Sequence, residues 1–123
     1  MRKRIIIDGI PPSQNYLLRM HWSQRKRVYN MWEKYIWVCG KMGCERENGK
    51  YNKVKIIFHF STAKKRDLDN YAGFQPLLNG LKLAGLIKDD NYRDVEVSWI
   101  AKQGRKEQTE IILLSQGVAK SKK

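Results

Sequence analysis

Residues 53–62 read KVKIIFHFST, with Val54, Ile56, Phe58 and Phe60 at every second position. Side chains alternate across a strand, so these four share one face, and that face is too apolar to be left in water. Such a strand needs partners beside it and a second layer over it. "KRIIID" at 3–8 is β-branched and bounded by Gly9 and the turn-forming PPS, which makes a second strand. "DVEVSWIAKQ" at 94–103 alternates Val95, Val97 and Trp99 against Glu96 and Ser98, and "QTEIILLS" follows a GRKE turn. Two alternating runs joined by a short turn predict a hairpin.

The covering layer is helical. From Trp22 to about Met42 the apolar positions Val28, Met31, Trp32, Tyr35, Val38, Cys39 and Met42 recur at steps of three and four, and the spacing turns this stripe toward the core. Leu77, Leu78, Leu81 and Ala84 mark a second helix ending near Gly85. Pro76, which lacks an N–H, makes that helix begin near Gln75 or kink there. Gly9 to about His21 reads as a loop. The order strand, helix, strand, helix, strand, strand predicts one α/β (α+β) domain over residues 1–115, a mixed sheet with helices packed on it, then a flexible basic tail at 116–123. A chain of 123 residues can bury one such core without metals or disulfide staples.

Charge narrows the partner. Lys and Arg number 25 against 12 Asp and Glu, a formal +13. That excess exceeds what solubility needs and points to a polyanion, nucleic acid before an acidic membrane surface. No apolar run approaches the roughly 20 residues that cross a bilayer, and MRKRIIIDG has too short an apolar stretch for a signal peptide. The expectation is a cytoplasmic protein without a membrane partner. Cys39 and Cys44 are spaced C-x4-C with no second pair, and His21 and His59 are isolated. Structural zinc wants four soft ligands, so two reduced thiols are the better reading.

The acids are unevenly placed. Residues 1–66 hold 16 basic and 4 acidic side chains, residues 67–123 hold 9 and 8. Where the basic half ends stands KKRDLDNYAGF at 64–74, and Asp89, Asp90 and Asp94 follow. If Asp67-Leu68-Asp69 is extended, Leu68 faces the core and both carboxylates project together. Carboxylates so close repel one another unless a cation sits between them, and oxygen ligands suit Mg2+ or Mn2+. A helix of about three turns lets the chain bring the KDD segment back as a third source of carboxylate. On a surface that holds phosphates, such a metal polarises the scissile phosphate and lowers the pKa of a bound water, and the implied reaction is hydrolytic strand cleavage. The same residues have a plainer use: Asp67 or Asp69 can cap the second helix, worth about 1 kcal/mol, and Asp89-Asp90-Asn91 is ordinary turn composition.

"RDLDN", followed about twenty residues later by "AGLIKDD" and preceded by "IDGIPPSQNYLLR", resembles the RusA family of Holliday junction resolvases. The similarity runs from about residue 5 to residue 114 and is most specific between 66 and 90. It implies a RusA-like fold, a homodimer, and a Mg2+-dependent crossover junction endodeoxyribonuclease serving DNA recombination and repair, of a kind carried by bacteria and their prophages. The three metal-binding aspartates of the family fall on Asp67, Asp69 and Asp90, with Asp89 adjacent. One departure matters. The family's founding member has a catalytic lysine shortly after the acidic pair, where this chain has Gln75, or Gly73 if Gly73 and Phe74 are not taken as an insertion. A neutral amide cannot match an ammonium at a developing anion. Lys88 or Lys65 is expected to supply the charge, an expectation that fails if Lys88→Ala and Lys65→Ala both leave cleavage intact.

A four-way junction has approximate two-fold symmetry, which a C2 dimer matches with two identical sites. Candidate pairing surfaces are the edges of the strands at 53–62 or 108–115 and the aromatic residues of the first helix. Arg19, Arg25, Lys26, Arg27, Lys64, Lys65 and Arg66 are candidate phosphate contacts, which hold the backbone without reading sequence. Trp22 or Tyr16 could wedge into an opened junction, against the commoner use of such rings as core. Two rivals stand beside the resolvase: a branched-DNA-binding protein that no longer cuts, and a less selective structure-specific nuclease.

Overall fold

The structure is a computed structural model and describes residues 2–41, 51–61, 71, 73–88 and 95–115. Among the described residues four strands form one mixed sheet: β1 (Arg2–Asp8), β2 (Lys53–Phe60), β3 (Glu96–Gln103) and β4 (Gln108–Leu114), in the spatial order β1-β4-β2-β3. β4 is antiparallel to both neighbours, and β3 runs parallel to β2. Three helices pack on this sheet to make a single small α+β domain: α1 (Gln14–Arg19), α2 (Trp22–Lys41) and α3 (Gln75–Leu83). Among the described residues no helix is long and apolar enough to cross a membrane.

The alternation in β2 works as expected. Val54, Ile56, Phe58 and Phe60 are buried with Ile5 and Ile7 of β1 and Ile111 and Leu113 of β4, and Trp32, Ile36, Leu77 and Leu81 of the helices close the same core. The hairpin does not form. β3 and β4 lie on opposite sides of β2, and the connection 104–107 crosses the end of β2, where the Gly104 N–H donates to the Phe60 carbonyl at 2.8 Å. Parallel β2 and β3 need a crossover, and α3 lies in it. Because β2 and β4 are central, the strands named as exposed edges are interior, and among the described residues the edge strands are β1 and β3.

The stretch expected to be loop contains α1. Ser13 caps it by accepting a hydrogen bond from the Tyr16 N–H at 3.2 Å, and Leu17 is its buried residue. In α2 the buried stripe is rotated from the expected one. Trp32 and Ile36 are buried and Val28, Tyr29 and Cys39 half-buried, while Met31, Tyr35 and Val38 face solvent. The outer side of α2 is also apolar at helical spacing, and what selects the inner side is α3. A Cβ added to Gly80 would stand 2.5 Å from the Ile36 Cβ, so only glycine admits the helix there. α3 begins at Gln75 behind Phe74, with Pro76 in its first turn, where the missing N–H costs nothing.

On the other face of the sheet Glu110 is buried opposite Ile6 and Ile57. Arg4 Nε donates to Glu110 Oε2, and His59 Nε2 lies 2.9 Å from Glu110 Oε1. Both partners reach Glu110 diagonally from strands on either side.

Candidate nucleic-acid interface

α2 and α3 run side by side in the same direction. Phe74 packs edge-on against Tyr29 and Trp32 with ring centroids 5.6 and 5.9 Å away, Gly80 meets Ile36, and Gly40 approaches Ala84 and Leu86. Both helices start at the end of the sheet where β2 finishes, since Tyr71 packs on Phe60 at 5.2 Å and on Phe58 at 6.2 Å. This end gathers the functional candidates. Arg25, Lys26 and Arg27 lie in the first turns of α2, and Arg19 closes α1 just before it. Lys26, Arg27 and Arg19 are exposed and Arg25 half-buried. His21 starts α2: its Nδ1 accepts from the Ser23 N–H at 3.2 Å, capping a helix that carries no acid in its first turn.

Asp67, Asp69, Asp89 and Asp90 lie outside the described residues, as do Lys64, Lys65 and Arg66. In the sequence the described Tyr71 follows Asp69 by two residues. The cap position of α3 is Phe74, and among the described residues no side chain makes a capping hydrogen bond there; the expected capping by Asp67 or Asp69 lies outside the described residues. Gln75 opens α3, and its Nε2 donates to Asn79 Oδ1 at 3.2 Å, while Asn79 Nδ2 donates to Glu33 Oε2 at 3.1 Å.

Lys88 is elsewhere. After α3 the chain passes along the start of β2, where the Tyr51 N–H donates to the Leu86 carbonyl and Ile87 bridges Tyr51. Gln75 therefore stands at the start of α3 and Lys88 beyond its end, and the expected return of the chain at 88–91 lies, beyond Lys88, outside the described residues. Among the described residues no three His, Cys, Asp or Glu side chains are grouped to hold a metal. Burial raises the Cys39 thiol pKa, which leaves it less nucleophilic.

Trp22 and Tyr16 are not core: they are 64% and 57% exposed, in the basic segment itself. Two cations that sequence reasoning missed extend this end. Lys102 and Arg105 are exposed at the finish of β3 and in the connection that crosses β2. Strand alternation and turn composition give no sign that this connection reaches the same end as α2. A cleft of about 130 Å3 also opens here, between the turn at Pro12 and the turn at Gly73, and its walls include Gln14, Leu17, Tyr29, Tyr71, Phe74 and Gln75. Gly73 has φ 82°, a left-handed conformation that carries the chain from Tyr71 into α3.

A scan against protein-family models finds no match, and no curated protein matches the chain. The family resemblance rests on the sequence segments RDLDN, AGLIKDD and IDGIPPSQNYLLR alone.

Proposed function

We propose that this chain is a Mg2+-dependent endonuclease that cuts branched DNA, with the four-way junction as its substrate and a homodimer as its working form. One juxtaposition supports the reading most strongly. The cations at the start of α2, with Arg19 and Arg105, share one end of the molecule with Tyr71, two residues from Asp69. Parallel strands place ligands at their C-terminal ends, and the acidic segment follows that end of β2.

In this arrangement Arg19, Lys26, Arg27 and Arg105 hold backbone phosphates, and Arg25 anchors from a less exposed position. The carboxylates of Asp67, Asp69 and Asp90 would hold the cation, a donor set that suits Mg2+ or Mn2+ and not zinc. When bound, it supplies charge neutralisation at the scissile phosphate and an acidified water. Gln75 can donate a hydrogen bond to a phosphate oxygen without adding charge. That neutral amide favours a second reading, a branched-DNA binder that has lost cleavage. Asp69→Asn separates the two: a nuclease loses metal-dependent nicking while keeping junction affinity, whereas for a pure binder neither wild type nor variant nicks in Mg2+ or Mn2+.

A further inference from the structure

The cleft beside Tyr71 has a chemistry unlike its surroundings. In a chain of net charge +13, a recess shaped for phosphate would present lysine or arginine, yet among the described residues its walls carry no charged side chain. They offer three aromatic rings, Tyr29, Tyr71 and Phe74, the Leu17 side chain, and the carboxamides of Gln14 and Gln75. Aromatic and aliphatic walls that also carry carboxamides match an uncharged planar heterocycle that carries donors and acceptors of its own. Aromatic rings stack any nucleobase, and glutamine amides pair with base edges.

The walls are held from behind. Phe74 and Leu17 are buried, Tyr29 meets Phe74 edge-on, Tyr71 is braced on Phe60, and the hydrogen bond to Asn79 aligns Gln75 along α3. Little reorganisation is needed to receive a ring.

We propose that this cleft receives one unstacked nucleobase of the bound DNA. The inference rests on the nuclease reading and deepens it. Tyr71 follows Asp69 by two residues in the sequence, so on the nuclease reading the captured base lies near the cut. A base inside a duplex must break its stacking and pairing to enter, whereas one at a branch point is already partly released. The cleft thereby favours branched over linear DNA and imposes a base preference beside the cut.

The test uses the full chain and a four-way junction with 2-aminopurine placed singly at each nucleotide around the crossing, in EDTA so that no strand is cut. Fluorescence at one position should change on binding. Tyr71→Ala should weaken that response about tenfold in titration, with Tyr71→Phe restoring it. Gln14→Ala, at an exposed position on α1, should also diminish the response, and it serves if Tyr71→Ala does not fold. Tight binding without a fluorescence change at any position, or a response unaltered in Gln14→Ala and Tyr71→Ala, would overturn the proposal while leaving the nuclease reading intact. Failure of the wild type to bind the junction would defeat the DNA reading itself, and the cleft's role with it.

Discussion

Gly80 of α3 lies so close to Ile36 of α2 that a Cβ on the glycine would stand 2.5 Å from the Ile36 Cβ and 2.9 Å from the Glu33 carbonyl oxygen. This close approach holds the helices at their observed separation, and with them the shared end that carries Arg25, Lys26, Arg27 and Gln75. Gly80→Ala forces the helices apart. Overpacking of this kind costs about 1–3 kcal/mol, against about 1 kcal/mol recovered in helix propensity. The net expectation is a lower urea midpoint with an unchanged slope; an unchanged or higher midpoint would contradict the packing described.

Glu110 ties acid stability to the open face of the sheet. Burial pushes its pKa up, but the hydrogen bonds and charges of His59 and Arg4 outweigh it, so the carboxyl titrates below its ordinary value of 4.5. A lowered folded-state pKa means stability fully present above the unfolded value and lost as pH falls through and below it. Glu110→Gln should therefore lower the Tm at pH 7, by about 1–3 kcal/mol in stability, and flatten the fall in Tm below about pH 4.5. Equal acid sensitivity of wild type and variant would show that Glu110 is not the responsible group.

The basic end should declare itself through salt. Replacing Arg25, Lys26 and Arg27 together by Gln should weaken junction binding at every sequence and reduce the slope of log K against log salt by about one for each phosphate no longer neutralised. Glutamines at Lys53 and Lys55, near the opposite end of β2, should leave that slope closer to the wild-type value. If the triple and the double variant behave alike, binding is delocalised over the surface rather than concentrated where α2 begins.

Much of the fold is legible in particular residues. The alternation of Val54, Ile56, Phe58 and Phe60 identifies a half-covered strand, and Pro76 with Gly85 brackets α3. The hairpin fails for a physical reason: two alternating strands and a short turn look the same in sequence whether they pair directly or enclose a third strand. The stripe on α2 is ambiguous because Met31, Tyr35 and Val38 keep helical spacing as faithfully as Trp32 and Ile36, and only the fit of Gly80 against Ile36 chooses between them. α1 is hidden by its six-residue length, although Pro11, Pro12 and the capping Ser13 announce a start. At the candidate site, the residue types of the acidic segment are readable in sequence. The cleft of Tyr29, Tyr71 and Phe74 is not, because it exists only once α2 and α3 lie parallel.

The most direct test is cleavage of an end-labelled four-way junction beside a linear duplex of the same sequence, in Mg2+ or EDTA, by wild type and Asp69→Asn. Paired symmetric nicks confined to the junction, absent with EDTA and in Asp69→Asn, are the expected result. Tight junction binding with no nick in Mg2+ or Mn2+, or equal cutting of the linear duplex, would contradict the account.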